Sequence, residues 1–194
     1  MAFVHANSDC IRYSSAQECE CMPPVVWLTG LSGSGKTTIC NAVMRELKRR
    51  AVRAAFLDGD EIRKHLCPDL GYTRADRIQN VLRISYVAGL LTQQEVTVLA
   101  AAITPYEEAR QRIREAHPRF IEVFVNAPIE ICETRDPKGL YKKTRAGLIE
   151  HFTGISDPYE APQSPDVECR TDHETVEESC AKVMAAILEL NAKK

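Results

Sequence analysis

A chain of 194 residues, 44% of them hydrophobic, is long enough to close one sizeable core, and that length favours a single α/β domain over two small ones. A formal net charge of −2 excludes the broad basic field by which phosphate neutralisation holds a protein to nucleic acid, so an anionic ligand must be met by local charges. No apolar run reaches the roughly 18 residues of a membrane span, and the N-terminus has neither the basic start nor the apolar middle of a signal peptide; the expectation is a cytoplasmic chain with no membrane partner.

Residues 1–24 are polar and aperiodic and close on Pro23 and Pro24, which reads as a flexible extension ahead of one domain over residues 25–194. The extension carries Cys10, Cys19 and Cys21, with His5 nearby. A metal site or a redox-sensitive disulfide is the alternative to a plain tail there, and the spacing matches no zinc pattern. The eight cysteines of the chain are read mostly as free thiols, because a nucleotide-binding fold in a reducing compartment needs no disulfide framework.

From Val25 the pattern alternates. The apolar run "VVWLTG" is followed by the helix-length "KTTICNAVMRELKRR", then by "AAFLDGD" and a long periodic stretch from Arg74 to Gln94. After these come "VTVLAAAI", "PYEEARQRIREA", "FIEVFVNA", "DVECRT" and "ETVEESCAKVMAAILEL". Short β-branched runs separated by amphipathic stretches predict a mostly parallel sheet with helices on both faces, a fold whose ligands bind beyond the carboxyl ends of the strands.

At the first such end stands "GLSGSGKTT": Gly30, Leu31, Ser32, Gly33, Ser34, Gly35, Lys36, Thr37 and Thr38. Strand before and helix after satisfy the context of the nucleoside-triphosphate-binding P-loop, whose backbone N–H groups cradle phosphates while the helix N-terminus adds positive charge. Lys36 is expected to reach the β- and γ-phosphates and Thr37 to offer a hydroxyl to Mg²⁺. At the second strand end, Asp58 and Asp60 bracket Gly59. Two carboxylates beside a triphosphate can orient Mg²⁺ and take a proton from an attacking hydroxyl, Asp60 being the better exposed for the second task. Asp60 also suits an N-cap for "EIRKHL", a role that does not exclude catalysis.

The strings "GLSGSGKT", "LDGDEIRKHL", "DLGYTRADRIQN", "ITPYEEAR", "RDPKGLYKKTRAG", "FTGISDPYEAP" and "PDVECRT" stand in the order and spacing of the adenylyl-sulfate kinases, and the chain resembles that family from about Val25 to its C-terminal helix. The resemblance implies transfer of the γ-phosphoryl of MgATP to the 3′-hydroxyl of adenosine 5′-phosphosulfate by a homodimeric enzyme. It implies that Arg63, Arg77 and Asn80 hold the phosphosulfate and ribose, with Asp58, Asp60, Ile103 and His151 also lining the acceptor site. Tyr72 and Phe152 would sandwich the adenine, Lys138 and "GLYKKTRAG" would form a lid, and the segment from Thr171 to Glu174 would lie near the ATP base. Lys36, Asp60, Thr104 and Lys138 are the expected catalytic set, and Thr37 and Asp60 the expected metal ligands. The residue types agree: a doubly anionic acceptor asks for arginine forks and its base for aromatic faces. Lys142, Lys143 and Arg145 stand between two readings, lid cations or a solvated helix face.

The chain departs from the family pattern at Thr104, where serine is usual, at Leu82, where arginine is usual, and at Leu148, Glu150 and His151, which replace Glu, Lys and Gly. Thr104 is expected to line the acceptor pocket while transfer runs directly in line from ATP. The alternatives to the leading reading are a paralogue acting on a different 5′-substituted nucleotide, and a non-catalytic nucleotide-binding subunit, which would be marked by loss of Lys36, Asp60 or Arg77. A module normally joined to a sulfate adenylyltransferase is a further alternative.

Overall fold

The structure, a computed structural model, describes residues 22–192; Cys10, Cys19 and Cys21 lie outside the described residues, as does most of the expected extension. Five parallel strands, β1 (Val25–Thr29), β2 (Ala54–Asp58), β3 (Thr97–Ala101), β4 (Phe120–Asn126) and β5 (Val167–Arg170), form one sheet in the order β2-β3-β1-β4-β5. Strand β1 is buried along its whole length because it pairs on both edges and is covered on both faces, the setting in which a strand reads as a continuous apolar run.

Alternation along β1 sends Val26 and Leu28 to one face and Val25 and Trp27 to the other. The first face is covered by α1 (Lys36–Arg49) and α7 (Val176–Ala192) through Ile39, Val43, Leu47, Val183 and Ile187. The second is covered by α3 (Arg74–Thr92) and α4 (Glu107–Ala116) through Val81, Ile84, Ala88, Ala109 and Ile113. The two-faced α/β architecture expected from the sequence is what the chain adopts. Two short helices carry no apolar period strong enough to read in advance: α5 (Ile129–Arg135) and α6 (Leu140–Arg145). They enclose a small third cluster in which Phe152 and Tyr141 meet edge to face, ring centroids 4.9 Å apart.

Helix ends explain where the site residues fall. Helix α3 opens with a capping box, the Thr73 hydroxyl accepting from the Asp76 N–H and the Asp76 carboxylate accepting from the Thr73 N–H. Helix α2 (Gly59–Leu66) is capped by Asp58, whose Oδ1 accepts from the Asp60 N–H at 3.0 Å. The cap is therefore Asp58 and not Asp60, because the helix begins two residues before "EIRKHL" and leaves the Asp60 side chain free to face outward. Gly59 makes this tight turn: a Cβ there would lie 2.7 Å from the Ala101 carbonyl oxygen at the end of β3.

Five described cysteines, Cys40, Cys67, Cys132, Cys169 and Cys180, are free thiols, as expected. Among the described residues no helix is long and apolar enough to cross a membrane. Beneath α3, His117 is buried with its Nε2 2.8 Å from the Ser85 hydroxyl, and burial pushes its pKa down to about 4. A base whose folded pKa lies below its unfolded value destabilises the fold as pH drops through the window between them. Urea unfolding at pH 7 and pH 5 is expected to show a stability loss on acidification, up to about 2 kcal/mol from this group, and His117→Gln should flatten that part of the profile.

Candidate active site

The carboxyl ends of β1, β2 and β3 open into one cavity of about 1140 Å³, roofed by the segment from Arg135 to Thr153. On its floor the phosphate loop is held in a sharply turned backbone. At Gly30 a Cβ would collide with the Val125 carbonyl oxygen, so glycine is required where β1 passes β4. Ser32, Gly33, Gly35, Lys36, Thr37 and Thr38 line the cavity; Gly30, Leu31 and Ser34 do not. Ser34 is fully buried, Leu31 packs into the Phe152 cluster, and the carbonyls of Gly30 and Leu31 accept from Lys36 Nζ at 2.9 and 2.7 Å. These three residues brace the loop from below.

Burial under the loop pulls the Lys36 pKa down to about 8, against the field of Asp60, which opposes that shift. The Thr37 hydroxyl lies at the loop's far edge and donates to Asp58 Oδ2 at 3.2 Å. Asp60 instead forms an ion pair with Lys138, which reaches across the cavity from the roof. The pairing by metal-ligand type thus joins Thr37 with Asp58, and Asp60 sits apart from them against a lysine. Among the described residues no group of three or more His, Cys, Asp or Glu is placed to hold a metal ion.

The opposite wall is built by α2, the α2–α3 connection and the start of α3. Arg63 and Arg77 stand on either side of Tyr72, with guanidinium carbons 4.5 and 5.5 Å from its ring centroid. Arg63 donates to the carbonyls of Leu70 and Gly71, and Arg77 to that of Tyr72 at 3.0 Å. Asn80 lines the cavity with its Oδ1 buried and without a partner, an acceptor position that a ligand hydroxyl would satisfy. Phe152 and His151 line the same space from the roof. Tyr72 is 58% exposed and Phe152 8%. Ile103 and Thr104 complete the wall at the end of β3.

Thr104 is almost wholly buried, at a φ of 45°, and its hydroxyl accepts from the indole N–H of Trp27 at 2.8 Å. Behind it Arg110, itself buried, donates to the Thr104 carbonyl at 2.9 Å and pairs with Glu107 and Glu122. The hydroxyl is thereby turned toward the core. Thr171 and Glu174 line the cavity beside the loop. The Glu174 carboxylate is engaged by Lys182 and by the Arg170 N–H.

A charged cavity residue that binds the loop was not singled out in the sequence. Arg135, at the end of α5, donates to the Thr171 hydroxyl and carbonyl at 3.0 and 2.6 Å, while the Thr171 hydroxyl donates to the Ser34 carbonyl at 2.7 Å. The signal was present, since Arg135 opens the quoted "RDPKGLYKKTRAG", but nothing local separated it from a helix-end cation. Arg135→Ala is expected to raise the KM for ATP about tenfold by freeing the β5–α7 turn from the loop, the size of a lost charge-assisted bond, with the KM for the acceptor unchanged; steady-state kinetics in both substrates checks it. Lys142, Lys143 and Arg145 do not line the cavity and are exposed, and Arg145 pairs with Glu133. Of the departures, Leu82 packs against the apolar face under α3, whereas Leu148, Glu150 and His151 do line the cavity.

The adenylylsulphate kinase family model matches residues 22–170. The chain belongs to the adenylylsulphate kinase family. An adenylyl-sulfate kinase of Halothermothrix orenii is 57% identical over 164 residues, covering 84% of this chain and 89% of that protein. One from Picosynechococcus sp. is 53% identical, covering 85% and 93%. Among solved structures, the Mycobacterium tuberculosis APS kinase CysC in complex with AMPPNP and APS superposes with a TM-score of 0.83 at 44% identity, covering 87% of this chain and 98% of that one. Lys36, Thr37, Arg63, Arg77 and Lys138, which stand in the motif strings shared with that family, all line the one cavity described above.

Proposed function

We propose that the protein transfers the γ-phosphoryl group of MgATP to the 3′-hydroxyl of adenosine 5′-phosphosulfate, releasing ADP and 3′-phosphoadenosine 5′-phosphosulfate. The observation that carries this reading is one cavity with a phosphate loop on its floor, two arginines flanking an aromatic ring on the far wall, and Asp60 facing Lys138 on the lid. Phosphoryl transfer asks the protein mainly for positioning and charge neutralisation.

In this reading the loop N–H groups, Lys36 and the start of α1 hold the triphosphate. Thr37 and Asp58 would hold Mg²⁺, which would supply charge neutralisation at the phosphates. Arg63 and Arg77 take the phosphate and sulfate oxygens, Asn80 Oδ1 accepts from a ribose hydroxyl, and Tyr72 and Phe152 face the adenine. The 3′-oxygen attacks the γ-phosphorus as the bond to the β–γ bridging oxygen breaks, and its proton passes to Asp60. Lys138, released from Asp60, then meets the transferring oxygens. Thr104 holds the wall beside the acceptor, and its hydroxyl, which accepts from Trp27 and donates to the Ala102 carbonyl, faces the core, an orientation that supports direct transfer from ATP.

Arg135, Thr171 and Glu174 would border the ATP base. The protein would work as a cytoplasmic homodimer, a reading supported by the free thiols and the family resemblance, and light scattering would report its mass. A coupled ADP-release assay with adenosine 5′-phosphosulfate and with other 5′-substituted nucleotides tests the acceptor. Turnover is expected with the phosphosulfate, and none with it would overturn the reading in favour of another acceptor, for which Leu148, Glu150 and His151 at the rim would be responsible.

A further inference from the structure

Arg77 clasps the turn formed by residues 151–157 at both ends. Its guanidinium donates to the His151 carbonyl at the start of the turn and to Asp157 Oδ2 at 3.2 Å at its end. The other Asp157 oxygen, Oδ1, faces His151 Nδ1 at 3.3 Å. A carboxylate only accepts, so Nδ1 carries the proton and the ring closes: Arg77 to Asp157, Asp157 to the His151 imidazole, and the His151 backbone to Arg77. Arg77 and Asp157 are largely enclosed, with side chains 11% and 16% exposed, whereas the His151 side chain is 64% exposed.

The turn does not need this imidazole to hold its shape. The Phe152 carbonyl accepts from the N–H groups of Ile155, Ser156 and Asp157, and the Ser156 hydroxyl accepts from the Phe152 N–H at 2.7 Å. Nor does the backbone favour histidine, since His151 sits at a φ of 55°, where glycine is at ease and a side chain costs strain. A strained, exposed side chain whose hydrogen bond goes to the carboxylate that holds Arg77 is explained by what it does to Arg77.

We infer that His151 is a positioning residue for the acceptor arginine: by occupying one Asp157 oxygen it fixes the carboxylate so that the other aims Arg77 into the cavity. The inference rests on the acceptor reading of Arg77 given above. It predicts that side-chain loss at residue 151 acts through Asp157 and is felt by the acceptor alone.

Three variants and a double mutant test this. His151→Gly keeps a residue comfortable at the turn and removes the imidazole; it is expected to raise the KM for adenosine 5′-phosphosulfate about fivefold, the order of one hydrogen bond to a charged group, with kcat and the KM for ATP within about twofold of native. His151→Asn puts an amide nitrogen on Cγ where Nδ1 stands and tolerates a left-handed backbone, so it is expected to restore the native KM. Asp157→Asn should raise the acceptor KM as well, and His151→Gly combined with it should be no worse than Asp157→Asn alone. An additive double mutant, an equal rise in the KM for ATP, or an Asn variant as poor as Gly would overturn the inference. If the native protein turns over no phosphosulfate, the function reading fails and the imidazole tautomer by ¹⁵N NMR decides this one. An Nδ1–H form that changes on Asp157→Asn upholds the ring, and an Nε2–H form in the native protein overturns it.

Discussion

Replacing Asp60 with Asn is expected to lower kcat by about two to four orders of magnitude, the range supplied by a positioned general base, while leaving the KM for ATP within a few-fold of native. Asn keeps the volume and the backbone N–H that Asp58 caps, so the fold of α2 should survive and the loss should be chemical. The same substitution releases Lys138, whose ion pair with Asp60 ties the cavity roof to α2. Thermal unfolding should move little, because both partners are more than half exposed (53% and 66%) and exposed ion pairs contribute little stability. A kcat within tenfold of native would exclude Asp60 as the base and turn attention to Asp58.

Lys36→Met should cut kcat about 10²- to 10³-fold, as removal of one preorganised charge facing a transferring group does elsewhere, and should also weaken ATP. Its pH dependence is the more diagnostic result. Burial lowers the Lys36 pKa to about 8 in the free protein, so the ammonium is present below that pH and lost above it. Binding of a polyanion restores the charge by raising that pKa. The affinity of the free enzyme for MgATP is therefore expected to fall as pH rises through about 8, read as an increase in the KM for ATP across pH 7 to 9, and Lys36→Met should lack this limb. A pH-independent KM over that range would show that Lys36 stays charged beneath the loop.

Local pattern carried most of the fold and half of the site. The long Arg74–Thr92 helix was legible as a helix-length stretch between two apolar runs, and β1 was legible because a strand paired on both edges must be apolar throughout. The phosphate loop was equally plain, since Gly30 through Thr37 are consecutive and their chemistry depends on their own backbone. Helices α5 and α6 were not legible: at seven and six residues they bury only Cys132 and Tyr141 between them, too little apolar surface to leave a period. The cap of α2 at Asp58 was not legible, because it depends on where Gly59 lets the chain turn against the end of β3.

By itself the sequence determined the parallel α/β order, the donor loop and, through its motif strings, the family, because each is written in residues close together in the chain. Only the tertiary structure decided which carboxylate faces which partner, Asp58 with Thr37 and Asp60 with Lys138, and that Thr104 turns its hydroxyl to Trp27. It also decided that Leu82 packs against the core while Arg135 lines the cavity. The three side-chain pairings join residues 21 to 78 positions apart, and hydrogen bonds act over about 3 Å, so only the packing of strand ends and cavity roof brings the partners within reach.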